Sequence, residues 1–173
     1  MGSRALALCA ALTALGSSEG AHAQSGGGRG LAQLLAGLEG TWEGTGVLLG
    51  RPATFSMEWR LDDEGFAHLA YENRWLEADG SATPVLVARA TYLMQGDSAI
   101  GVWVDHRPAR ITLRAVATDS SVVTEWTAER ERGRTEYVLR SRTEAGARDH
   151  VVVDGVERPF GEASYRRTRD AGR

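Results

Sequence analysis

The stretch Leu38-Glu39-Gly40-Thr41-Trp42-Glu43-Gly44-Thr45-Gly46 decides how the rest of the chain is read. Before it, Leu31, Leu34, Leu35 and Leu38 fall at helical spacing. Gly30 to Glu39 is therefore predicted as a short amphipathic helix that stops at Gly40. After it, as far as Arg167, the segments alternate as strands do and are cut off by turns. One Trp on the first strand, behind one helix and ahead of a long meander, predicts a small closed barrel around a pocket.

The turn signals are Leu49-Gly50-Arg51-Pro52, Asp62-Asp63-Glu64-Gly65, Asp79-Gly80, Gln95-Gly96-Asp97, Arg107-Pro108, Asp119-Ser120, Arg132-Gly133, Ala145-Gly146 and Asp154-Gly155. These nine turns predict ten strands. Pro52, Pro84, Pro108 and Pro159 fall in turns or at strand starts, where a missing N–H does least harm. With no second helical pattern between strands, neighbours joined by tight turns pair antiparallel.

Period-two alternation assigns the faces. Phe55, Met57, Trp59 and Leu61 share one side of the second strand, opposite Thr54, Ser56, Glu58 and Arg60. Ala67, Leu69, Tyr71, Asn73 and Trp75 share a side of the third, and Leu86, Ala88, Ala90, Tyr92 and Met94 of the fourth. Further on, Ile111, Leu113 and Ala115 go together, as do Val122, Thr124 and Trp126, and Tyr137, Leu139 and Ser141. The fifth strand is ambiguous: Trp103 and Asp105 oppose Val102, Val104 and His106. A face of large aromatics interleaved with alanines fits a sandwich or a barrel, and ten consecutive strands favour the barrel. The predicted fold is all-β: a single antiparallel up-and-down barrel of about ten strands with one short N-terminal helix, spanning residues 31–169.

The chain has 173 residues and a formal charge of −3, which gives no broad basic field for nucleic acid. Every one of its 20 basic residues is Arg, so Schiff-base chemistry through Lys is closed, and the bias suits a GC-rich bacterial genome. Arg4, the apolar Ala5 to Leu15 and Ala21-His22-Ala23 read as a signal peptide over residues 1–23, cleaved before Gln24. That apolar stretch is too short for stable membrane insertion. Residues 24–30 read as a flexible linker. Cys9 lies inside the signal, leaving a periplasmic or secreted domain that depends on its core rather than on disulfides.

The opening segment resembles the Gly-x-Trp start of the calycin superfamily, which includes lipocalins, fatty-acid-binding proteins and nitrobindin-like barrels. Gly101-Val102-Trp103-Val104-Asp105, Thr124-Glu125-Trp126 and Arg158-Pro159-Phe160-Gly161 are similar to small exported bacterial calycin-like proteins of unassigned function. The resemblance implies that Trp42 packs at the barrel floor under an Arg of the last strand, Arg166 or Arg167. Nitrobindin-like barrels hold haem through a His near the end of that strand. Pro159-Phe160-Gly161-Glu162-Ala163 has none, so no cofactor is expected.

The candidate ligand-binding residues are Trp59, Tyr71, Asn73, Trp75, Tyr92, Trp103, Trp126 and Tyr137. His68, His106 and His150 lack metal-ligand spacing, so no metal is expected. His68 and His150 read as exposed. A register slip by one would instead turn Glu72, Arg74 and Arg89 inward to hold an anionic head. The chain thus reads as an exported lipocalin-like barrel that binds a small hydrophobic or amphipathic molecule. Two alternatives stand beside it: a barrel-shaped isomerase, cyclase or hydrolase using Asp105 or His106, and a cavity-free structural or interaction protein.

Overall fold

The computed structural model describes residues 29–107 and 109–169, without the side chain of Arg169. The expected signal peptide with Cys9, most of the linker and Pro108 lie outside the described residues. One helix, α1 (Leu31–Leu38), precedes ten strands. These are β1 (Gly40–Leu48), β2 (Arg51–Leu61), β3 (Phe66–Leu76), β4 (Ala82–Gln95), β5 (Ser98–Asp105), β6 (Ile111–Ala117), β7 (Ser121–Thr127), β8 (Arg132–Leu139), β9 (Glu144–Val153) and β10 (Val156–Arg169). Each strand pairs antiparallel with its chain neighbours, and β1 pairs with β10 to close the barrel. Two hairpins use tight turns with positive φ, Leu49-Gly50 and Asp154-Gly155, the backbone hand that matches strand twist.

The helix plugs one end. Its four leucines are buried and pack against β2, β6, β7 and β8. Of its last carbonyls, which an isolated helix leaves without partners, those of Leu35, Gly37 and Leu38 are taken up, the first by the Glu39 amide. The Trp42 indole Nε1 donates to Leu38 O at 2.6 Å, and the Arg167 guanidinium donates to the carbonyls of Gly37 and Glu39. Arg167 also lies 4.2 Å over the Trp42 ring, a cation–π contact. A cation here also opposes the negative end of the helix dipole.

Of the two candidate arginines it is thus Arg167, not Arg166, that covers Trp42. The β1–β10 register sets Trp42 against Arg167 and Glu43 against Arg166. Arg166 points outward to Glu144, at 3.7 Å, and is largely exposed.

Other local expectations are corrected. Ala145-Gly146 and Arg132-Gly133 are not turns: the first lies within β9 and the second opens β8. The intervening turn is Arg140–Thr143, which leaves Ser141 exposed rather than inward. On β5 the ambiguity resolves with Ile100, Val102 and Val104 outward and exposed. The alternation elsewhere keeps its register: Glu72 and Arg74 pair with each other on the outer face, and Arg89 is exposed. The enclosed core runs from Trp42, Met57 and Trp59 through Ala67, Leu69, Ala90, Tyr92 and Ala115 to Val122 and Tyr137.

Candidate ligand-binding lumen

Period-two alternation on a closed barrel sends half of every strand into one shared space, and here that space is incompletely filled. Trp59 lies at its base, stacked on Tyr92 (centroids 5.8 Å apart) and edge-on to Tyr137 (5.4 Å). Beyond this aromatic layer, away from α1, a lumen of about 470 Å³ remains. Its walls include Tyr71, Tyr92, Trp103, Leu113, Trp126, Tyr137 and Phe160. The mouth lies among the hairpins at the other end, at Leu49, His106, Arg107 and Glu131. This size falls within the range of small-molecule pockets. A larger hollow of about 860 Å³ on the outer side of β1, β2, β3 and β10 is walled by Glu43, Glu72, Arg74, Arg140, Glu144 and Arg166. Its lining is mostly polar and charged, so the apolar lumen is the better candidate for a small hydrophobic molecule.

Six of the eight candidate residues line this lumen: Tyr71, Asn73, Tyr92, Trp103, Trp126 and Tyr137. Trp59 and Trp75 do not. Trp59 is fully buried beneath the floor. Trp75 sits on the rim, donating to Leu48 O at 3.3 Å under the Arg51 guanidinium, which is 4.2 Å from its ring.

Asp105 and His106 occupy the mouth without forming a catalytic pair. The Asp105 carboxylate accepts hydrogen bonds from the Arg107 backbone at 2.7 Å, the Arg107 guanidinium at 2.7 Å and the Trp103 indole at 2.8 Å. Burial pulls this carboxyl upward, but those donors outweigh it and hold it at about 2. A carboxylate so stabilised is a poor proton acceptor near neutral pH. His68 lies on the outer face, within 3.1 Å of Asp62 and 3.2 Å of Thr91. His150 sits mid-strand on β9 rather than near a strand start, half-buried, with Nδ1 enclosed and without a partner. Among the described residues no group of three His, Cys, Asp or Glu side chains could hold a metal ion. No described His projects from β10, and His106 is the one His on the lumen wall, so the donor set does not fit haem held from the last strand.

The residue that the sequence reading passed over is Asp149. Ala145, Ala147, Asp149 and Val151 alternate on the inner side of β9, and reading Ala145-Gly146 as a turn hid that run. Asp149 accepts from the Thr135 hydroxyl at 2.7 Å. A bulge in β10 between Pro159 and Gly161 lies beside it. A side chain at Gly161 would collide with Asp149, its Cβ falling 2.7 Å from Oδ2, so glycine makes room for the carboxylate. Desolvation raises the Asp149 carboxyl to about 6 against the pull of Thr135.

Around Asp149 stand phenols that burial keeps neutral. Tyr71, Tyr137 and Tyr165 are all pushed upward mainly by desolvation, and Tyr92 reaches about 12 for the same reason. The Asn73 amide donates to the Tyr71 hydroxyl at 3.3 Å. The Asn73 Oδ1 and Thr124 Oγ1 atoms are buried without partners. Unsatisfied polar atoms in a lumen wall are costly unless something else completes them.

No protein-family model and no curated protein sequence matches the chain. Solved structures do resemble it. Rv2717c from M. tuberculosis superposes with a TM-score of 0.62 at 16% identity, over 79% of this chain and 96% of that one. The S-type phycobiliprotein lyase CPES from Guillardia theta superposes with a TM-score of 0.55 at 8% identity, over 84% of this chain and 95% of that one. At such identities the likeness concerns architecture alone: the chain has a calycin-like barrel fold.

Proposed function

We propose that this barrel binds a small amphipathic molecule in its lumen without transforming it, as lipocalin-like members of the calycin superfamily do. The observation that carries this reading is the aromatic-walled cavity of about 470 Å³, reaching the mouth at the end away from α1. Burial of an apolar body there would contribute roughly 25 cal/mol per Å², and the polar tips of the lining would fix its orientation. The fixed state of Asp105 argues against the alternative enzyme at the mouth. We place the protein in the periplasm or outside the cell, on the strength of the Arg4, Ala5–Leu15 and Ala21–Ala23 pattern. N-terminal sequencing of the protein from its host should then start at Gln24.

The test of binding is native mass spectrometry of protein purified without denaturation, beside a Leu113→Trp variant. Leu113 faces the lumen and is nearly buried, so an indole there would occupy the ligand volume. A retained small molecule in the unaltered protein and none in the variant supports the proposal. Bare protein in both, with no uptake of an added apolar dye, overturns it.

A further inference from the structure

The polar side of the lumen is one-sided. Among the described residues Asp149 has no ion-pair partner. Arg107, the cation on the lumen wall, is held at the mouth by Asp105 at 2.7 Å and faces Glu131 at 3.8 Å. One Asp149 oxygen is engaged by Thr135, while the other occupies the space that Gly161 and the β10 bulge leave for it. Asn73 Oδ1, on a residue only 3% exposed, is a second acceptor without a donor, on β3 of the same lumen. Both are acceptors, and the surfaces around them are aromatic.

We infer that the ligand carries a protonated amine on an apolar body, with the ammonium seated against Asp149 and the body among Tyr71, Trp103 and Trp126. The inference rests on the lumen being a binding site and names the chemistry it selects. A carboxylate-headed ligand would bring like charge to Asp149. A wholly apolar one would strip water from the carboxylate and give nothing back. An ammonium answers the charge, donates where Asp149 accepts, and gains cation–π attraction from the walls.

Protonation adds a signature. The other groups that face Asp149 are the neutral phenols of Tyr71, Tyr137 and Tyr165, the Thr135 hydroxyl and, farther off at the mouth, His106, Arg107 and Glu131. Arg148 points to the outer face toward Glu136 and Glu162. Since the amine stays charged throughout, its affinity should rise with pH as Asp149 ionises near 6 and level off above.

Calorimetric titration with 2-phenylethylamine, 2-phenylethanol and 3-phenylpropionate tests this on the unaltered protein and on Asp149→Asn, with circular dichroism as the check of folding. The amine should bind tightest. The substitution should weaken it roughly 30-fold or more while shifting the alcohol only a few-fold. Alcohol or carboxylate binding as tightly as amine, or an amine indifferent to Asp149→Asn, overturns the amine inference and leaves the lumen standing as a site. No uptake of any of the three overturns both.

Discussion

The two ends of the barrel are built from the same alternating strands yet finished in opposite ways. At the plugged end Trp42 and Arg167 donate to the carbonyls of Leu38, Gly37 and Glu39 above the four buried leucines of α1, and Trp59 Nε1 in the floor is the exception left without a partner. Toward the open end Asn73 Oδ1 and Thr124 Oγ1 lack partners, and Asp149 is held without a counter-charge. A fold gains stability from completing its own hydrogen bonds. A binding site needs some of them left for a guest. The contrast assigns one end to folding and the other to recognition.

The comparison breaks first, and hardest, if the plugged end is not the keystone. Trp42→Ala removes a fully buried indole and should lower the unfolding free energy by about 3–5 kcal/mol in chemical denaturation. Arg167→Ala, which loses the charged hydrogen bonds to the helix, should cost about 2–4 kcal/mol. Arg166→Ala, one residue away but exposed, should stay within about 0.5 kcal/mol. Equal losses for the two arginines would refute the keystone role.

At the other end the sign reverses. The Asp149 carboxyl is raised from 3.8 to about 6, so between these values the folded protein holds a proton that the unfolded chain has released. Stability from this group is therefore full below about 4 and falls as pH rises through about 6. Asp149→Asn should stabilise the empty protein by roughly 1–3 kcal/mol at pH 7, with the gain vanishing near pH 4. Denaturation curves at the two pH values read this directly, and a destabilised variant at pH 7 would show that the carboxylate serves the fold.

Smallest of all are the mouth residues. Asp105 is depressed to about 2, so its contribution is present above about 4 and lost only as pH falls toward 2. Asp105→Asn should cost about 1 kcal/mol at pH 7, and His106→Ala should be neutral to within about 0.5 kcal/mol. A larger loss from His106→Ala than from Asp105→Asn would place a structural role at the rim.

Much of the fold was legible because a strand buried on one face must alternate. Phe55-Met57-Trp59 and Ala67-Leu69-Tyr71 carry that alternation with no breaks, and the helix announced itself in four leucines. The same rule, applied to the last strand, would have chosen Arg167: Ala163 and Tyr165 lie buried on its side, while Ser164 and Arg166 face water. Asp149 was harder. A charge inside a barrel runs against the pattern that identifies inner faces, and glycine in Ala145-Gly146 imitates a turn. What marks the site, a bulge at Phe160 and the space over Gly161 that Asp149 fills, depends on how β9 and β10 slip past one another. Local sequence does not record that. Trp59 and Trp75 show the reverse limit, since facing inward does not tell floor from wall.

The pairing of β1 with β10 has a consequence for how this molecule meets others. A ring of strands leaves no strand unpaired along its whole length; one-sided edges are confined to short overhangs, Ala82–Val87 of β4 and the start of β10, so fibril-like growth and capture of a peptide as an extra strand have little template to start from. The apolar outer stripe of Ile100, Val102 and Val104 can therefore stick to a neighbour only side-on, through side chains. Such contacts can come apart again without any strand having to be peeled from the sheet.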